Sequence, residues 1–187
     1  MYNILKDKVI VGEEVFVPLI SEEEIQKKIA ELAAQISLDY KEKIPIFIGI
    51  LNGAFVFMAD LLKNVKIDCE IDFLKLSSYG DEKISSGKVQ LLKDLNCQVE
   101  NRDVIIVEDI VDSGLSIKFM NDIIKAHNPK SVKVVSLLVK PNGIKYDVKI
   151  DYIGFNIDNK FVIGYGLDYA QKFRNLRSIF VLNENGK

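Results

Sequence analysis

A chain of 187 residues, 48% hydrophobic and 28% charged, is long enough for one domain with a full apolar core and too ordinary in composition for a disordered or fibrous protein. Its net charge of −2 argues against a protein built to grip nucleic acid, which needs a basic face. Two cysteines, Cys69 and Cys97, and one histidine, His127, show no metal-ligand spacing; neither a zinc site nor a Ser/His/Asp or Cys/His mechanism is expected, and the cysteine usage fits a reduced, cytoplasmic chain.

The opening M-Y-N-I-L-K-D-K-V-I lacks the apolar core of a signal peptide. Ser21 and Glu24 form a capping box ahead of a helix with Ile25, Ile29, Leu32, Ala33 and Ile36 on one face. The window 44–62 is almost all apolar, but Pro45, Asn52, Gly53 and Asp60 interrupt it. It reads as a buried strand at 46–51, a tight turn at Asn52, Gly53 and Ala54, and a helix over 55–62, not as a membrane span. Residues 67–73 alternate, with Ile67, Cys69, Ile71 and Phe73 apolar and Asp68, Glu70 and Asp72 polar, as in a half-buried strand. The stretch 77–88, with four serines, two glycines and no packed face, reads as a long mobile loop. A short strand follows at 89–92.

The densest signal lies at 104–116, V-I-I-V-E-D-I-V-D-S-G-L-S. Val104, Ile105, Ile106 and Val107 form a β-branched run suited to a strand buried on both faces. It ends in Glu108 and Asp109; Asp112 and the small loop Ser113, Gly114, Leu115 and Ser116 follow. A helix then carries Ile117, Met120, Ile123 and Ile124 on one face, to about residue 127, where His127 sits near its negative end. Strand, acidic edge, small loop and helix start are what an open α/β sheet places at a ligand site. The loop amides and hydroxyls suit a phosphate, and the carboxylates suit sugar hydroxyls or a metal. Together they describe a site for a phosphorylated sugar. A strand at 132–139 completes a βαβ unit, and short strands are expected near 152–155, 160–163 and 178–182. The fold class is α/β: a mainly parallel sheet flanked by helices with a smaller appendage from both chain ends.

Other readings of the acidic strand are weaker. A nucleotide hydrolase needs G-x-x-x-x-G-K-[ST], which is absent. Gly164-Tyr165-Gly166 does not extend to G-x-G-x-x-G. A phosphoacceptor aspartate fits poorly with the hydroxyl-rich loop after Asp112. The turn at 52–54 by itself says only that tight turns need glycine; beside the acidic loop it offers a second anion pocket.

The segment 104–116 resembles the phosphoribosyl-pyrophosphate (PRPP) signature of type I phosphoribosyltransferases, most closely the hypoxanthine–guanine branch. L-N-G-A-F-V-F-M-A-D-L at 51–61, Ser78-Tyr79, D-N-K-F-V-I-G-Y-G-L-D-Y at 158–169 and Phe173-Arg174 agree, in the family's order. The resemblance implies one domain over 1–187, with a core at about 40–145 and a hood from about 1–20 and 146–187. It implies purine salvage: transfer of the phosphoribosyl group from PRPP to hypoxanthine or guanine, with magnesium, in a homodimer or homotetramer, without nucleic acid or membrane. It assigns Glu108 and Asp109 to the ribose hydroxyls and metal, Asp112 to acid–base catalysis at purine N7, and Ser113, Gly114, Leu115 and Ser116 to the 5′-phosphate. Leu51, Asn52, Gly53, Ser78, Tyr79 and Arg174 would meet pyrophosphate, within a turn where the family often has a cis peptide. Lys140 would donate to the 6-oxo group, Phe161 would stack on the base and Val162 would read its edge. Asp168 would join the purine and metal sites. Asn52 departs from the family's usual Lys or Arg. A PRPP- or nucleotide-sensing regulator is the alternative on the same fold.

Overall fold

A computed structural model describes residues 2–5, 8–78, 89–93 and 95–183. Ser21 caps the first helix, α1 (Glu22–Asp39), as its spacing from Glu24 requires: Ser21 Oγ accepts from the Glu24 N–H at 3.2 Å and Glu24 Oε2 from the Ser21 N–H at 2.9 Å. The apolar window resolves into β4 (Ile46–Leu51) and α2 (Phe55–Asn64). Among the described residues no helix is long and apolar enough to cross a membrane.

The core is a six-stranded sheet. Its order is β6 (Val89–Lys93), β5 (Glu70–Ser78), β4, β7 (Asp103–Val111), β8 (Ser131–Val139) and β9 (Tyr152–Asn156). All neighbours are parallel except β6, which runs antiparallel to β5. Because side chains alternate across a strand, β7 feeds two cores. Ile105 and Val107 pack with α1 and α2 on one face, and Val104 and Ile106 with α3 (Leu115–Lys125) on the other. A second sheet draws on both chain ends, in the order β1 (Tyr2–Leu5), β2 (Lys8–Val11), β3 (Glu14–Ile20), β11 (Ile179–Leu182) and β10 (Val162–Ile163). Phe16, Ile163, Phe173 and Phe180 fill its own small core.

Two expectations about the sheets needed correction. The alternation at 67–73 becomes a strand only from Glu70, and its middle is inverted: Ile71 is 55% exposed and Asp72 8% exposed. Asp72 faces inward because its carboxylate accepts the N–H groups of Phe73, Asn96 and Cys97 and pairs with Lys93 at 3.2 Å. The stretch 146–187 is not all hood, since β9 is the edge strand of the core sheet. At the end of α3 the backbone N–H groups of Ala126 and His127 close the last turn on Asp122 and Ile124, and the His127 side chain is exposed.

The chain runs from β4 leftward to β5 and from β7 rightward to β8. The carboxyl ends of β4 and β7 therefore bracket the crevice where strand order reverses, the place an open α/β sheet offers a ligand.

Candidate active site

Two turns face each other across that crevice. After β4 the Leu51–Asn52 peptide is cis, and the chain turns at Gly53 into α2. A Cβ on Gly53 would collide with the Asp109 carboxylate, so only glycine lets the turn lie against that acid. Asn52 is exposed beside it. After β7 the loop 112–114 leads into α3 through Gly114, whose φ of +83° is left-handed. Ser113 Oγ accepts the Leu115 N–H at 3.3 Å, and the Ser113 carbonyl accepts the Lys145 N–H at 2.9 Å. A cavity of about 80 Å³ lies here, lined by Glu108, Asp112, Ser113, Gly114, Leu115 and Ser116. It opens at the positive end of an eleven-residue helix.

Glu108 and Asp109 are both buried at the strand end. Desolvation pushes the Glu108 carboxyl well above the usual range, and the neighbouring Asp109 adds to it. Burial raises Asp109 as well; a side-chain hydrogen bond with Glu108, the Ile110 N–H 2.9 Å from Oδ1, and the positive charge of Arg174 oppose that shift. Glu108 Oε2 has no hydrogen-bond partner. A buried, unpartnered carboxylate oxygen is costly unless a donor or cation completes it.

Opposite the loop, Lys140 directly follows β8, buried, with its N–H on the Val111 carbonyl at 2.9 Å. Its Nζ stands 2.8 Å from Asp112 Oδ2. Asp112 is itself about half exposed, so this pair opens onto solvent. Gly143, in the turn Pro141–Gly143, leaves room for Asp112; a Cβ there would lie 2.8 Å from Oδ1.

The second sheet closes the far side. Phe161 is 44% exposed and leans on Phe16 (6.2 Å between centroids) and edge-on against Tyr169 (5.7 Å). Val162 is buried and pairs with Val181 in the ladder. Asp168 Oδ1 pairs with Arg174 Nη2 at 2.7 Å, and its Oδ2 accepts the Gln171 N–H at 2.9 Å. Arg174 Nη1 also donates to the Gly166 carbonyl at 2.8 Å. Gly166 lies so close over Gly53 that a Cβ would strike the Gly53 carbonyl oxygen. This contact carries Arg174 and Asp168 to the β4 turn from more than a hundred residues away.

Residues 20–170 match the phosphoribosyl transferase domain family. The chain is 50% identical over 164 residues to the hypoxanthine-guanine phosphoribosyltransferase of Bacillus subtilis, covering 88% of this chain and 91% of that one. It is 44% identical over 167 residues to the enzyme of that name from Streptococcus mutans, covering 89% and 93%. A crystal structure of a hypoxanthine-guanine phosphoribosyltransferase from Bacillus anthracis superposes with a TM-score of 0.84 at 45% identity, covering 89% of this chain and 98% of that one. The chain belongs to the hypoxanthine–guanine phosphoribosyltransferases.

In this phosphoribosyltransferase the structure brings the residues 51–53, 108–116, 140, 168 and 174 to one crevice and leaves Phe161 on its aromatic wall. Ser77 and Ser78 of the expected loop 77–88 are instead the last residues of β5; Tyr79 and the rest of that loop lie outside the described residues. Glu108, Asp109 and Asp168 do not form a preformed cage: among the described residues no three such side chains are set to hold a metal by themselves. Asp168 is engaged with Arg174 instead. Gly143 and Gly166 were missed by sequence reasoning. The triplet Gly164-Tyr165-Gly166 was visible, but only as a failed dinucleotide motif.

Proposed function

We propose that this chain is a glycosyltransferase of purine salvage, moving the 5-phosphoribosyl group from PRPP to hypoxanthine or guanine with release of pyrophosphate. The single observation that carries the reading is the buried acid pair Glu108 and Asp109, one oxygen unpartnered, set between an amide-lined phosphate loop and the Gly53 turn. As the bond from ribose C1 to pyrophosphate breaks, positive charge builds on the sugar. Two carboxylates fixed against the ribose hydroxyls favour that charge and need no reorganisation to do so. Ser113, Gly114, Leu115 and Ser116 hold the 5′-phosphate at the α3 N-terminus.

The base docks between Lys140 and Phe161. Lys140 donates to the 6-oxo oxygen, and the exposed Phe161 ring stacks on the purine. Asp112 accepts the N7 proton as the new C–N bond forms at ribose C1, and returns it in the reverse direction. The 2.8 Å pair with Lys140 keeps Asp112 in place until the base arrives. Val162 reads the base edge through its backbone. Leu51, Asn52 and Gly53 offer amides to pyrophosphate, with Arg174 as its cation; Ser78 and Tyr79 are assigned to pyrophosphate by the family resemblance alone, and Asp168 orients Arg174.

The acid pair fits a divalent cation. Magnesium takes oxygen ligands and is usually held by one or two carboxylates plus substrate phosphates, which matches a buried acid pair with one open carboxylate oxygen. Glu108 and Asp109 would hold it. When bound, it would offset the repulsion between acids and PRPP and improve the pyrophosphate leaving group. We place the protein in the cytoplasm as a single phosphoribosyltransferase domain working in a homodimer or homotetramer, with small-molecule substrates. The sensing-regulator alternative has no support among these relatives.

Mixing the protein with PRPP, magnesium and hypoxanthine or guanine, and following ultraviolet absorbance, tests the reading. Nucleotide formation is expected with at least one base; none with either would sink it.

A further inference from the structure

The turn 164–166 has an odd backbone. Gly164, Tyr165 and Gly166 all have positive φ, at 96°, 52° and 98°. The two glycines have no room for a Cβ, which would strike the Ser178 carbonyl at 164 and the Gly53 carbonyl at 166. Tyr165 has no such reason to be left-handed, and for a bulky residue this conformation is unfavourable unless something holds it there.

Its side chain supplies the reason. Tyr165 is 3% exposed, and its hydroxyl donates to Asp60 Oδ2 at 2.6 Å. Gln26 of α1 donates to the same Oδ2 at 2.9 Å and stands 3.4 Å from the Tyr165 oxygen; Lys63 donates to Oδ1 at 3.0 Å. Burial opposes the charge on Asp60, but these donors outweigh it and lower its pKa, while burial and Asp60 push the phenol up. Both shifts favour the carboxylate and the neutral phenol of this hydrogen bond. Asp60 belongs to α2, the helix that begins directly after the Gly53 turn. The turn 164–166 is therefore tied to the same element twice, by its backbone at Gly53 and by Tyr165 at Asp60. From it hang Arg174, whose carbonyl accepts the Gly166 N–H at 2.9 Å, and Asp168.

We infer that Tyr165 is a positioning residue for pyrophosphate recognition: its hydroxyl, seated on Asp60, sets the turn 164–168 against Gly53 and so aims Arg174. This rests on the reading that Gly53 and Arg174 meet pyrophosphate. The hydrogen-bonded side chains themselves, Tyr165, Asp60, Gln26 and Lys63, include none of Lys140, Phe161 or Val162, so their loss should weigh on PRPP and pyrophosphate more than on the purine.

The test is Tyr165→Phe, which keeps the ring and deletes one hydroxyl. The KM for PRPP, and for pyrophosphate in the reverse direction, should rise about tenfold while that for hypoxanthine stays within about twofold. Asp60→Ala should reproduce the effect, and Asp60→Asn, which keeps an acceptor for the phenol, should recover all but about threefold of it. A residue that served only the fold would lower the melting temperature and leave both KM values alone. Unchanged PRPP and pyrophosphate KM in Tyr165→Phe, or equal rises for PRPP and hypoxanthine, overturns the inference. Arg174→Ala separates the two levels. If it raises the PRPP KM and Tyr165→Phe does not, the positioning role fails and the site stands; if neither does, the assignment of the pyrophosphate site fails too.

Discussion

Asp112 and Lys140 are each other's nearest charged partner in the free protein, yet the proposed reaction gives them different tasks. Asp112→Asn keeps the shape and loses the base, and kcat should fall by about 10- to 10³-fold; unchanged turnover in a steady-state assay would remove Asp112 from the proton path. Lys140→Ala should raise the KM for 6-oxopurines and leave PRPP binding intact; an equal loss for PRPP, measured by calorimetric titration, would contradict its role at the base. Glu108 makes a prediction about pH. Its folded pKa is raised, chiefly by burial, so the folded state holds a proton that the unfolded state loses above about 4.5. The stabilisation is complete below that value and is lost as pH climbs through the raised pKa. Thermal melts of the ligand-free protein should therefore gain temperature on moving from pH 8 toward pH 5. Glu108→Gln should raise the melting temperature at pH 8, flatten that slope and weaken PRPP binding. A lower melting temperature for Glu108→Gln at pH 8 would show that the acid is already satisfied in the free protein.

At the level of elements, β5 shows how a period-two pattern can mislead. The alternation from Ile67 to Phe73 was plain in the sequence, and Ile67, Cys69 and Phe73 do pack on the core. Ile71 is exposed and Asp72 is not, because the Asn96 and Cys97 N–H groups and Lys93 come onto the Asp72 carboxylate beside the N–H of Phe73. Nothing within 67–73 announces the donors at Lys93, Asn96 and Cys97, which lie twenty or more residues away. Burial opposes the charge on Asp72, but those hydrogen bonds outweigh it and hold the pKa well below the usual 3.8. The stabilisation is therefore present above about pH 4 and fades as pH falls below it. Asp72→Asn should cost about 1–3 kcal/mol at neutral pH by chemical denaturation, with the gap from the parent narrowing in acid. A gap that stays constant from pH 7 to pH 2.5 would show that the charge contributes nothing. By contrast the strand at 104–107, the capping box at Ser21 and the split of window 44–62 into β4 and α2 were all legible, since each is written in adjacent residues.

Across the whole molecule, function depends on two sheets meeting. The core sheet and the turns at its strand ends supply the phosphate loop, the acids and Lys140; the segment leading into β10 and the connection from β10 to β11 supply Phe161, Asp168 and Arg174. Their contact at Gly53 and Gly166 closes the crevice. A ligand bridging both halves should stabilise the fold as a unit. PRPP with magnesium at about a hundred times its Kd should raise the melting temperature by about 5–10 °C. Chelating the metal with EDTA should abolish most of that rise. A full rise without metal would mean that the Glu108 and Asp109 pair binds sugar hydroxyls alone.

The sequence by itself determined the fold class, the order of most elements and the acidic loop, because a buried strand, a helix cap and a glycine turn are local demands with local signatures. Only the tertiary structure decided that Asp112 pairs with Lys140, that Asp168 is engaged by Arg174 and not grouped with Glu108 and Asp109, that β9 joins the core sheet, and that Gly166 rests on Gly53. Those facts depend on which strand ends and turns arrive side by side. That is set by packing two sheets against shared helices, and no run of neighbouring residues encodes it.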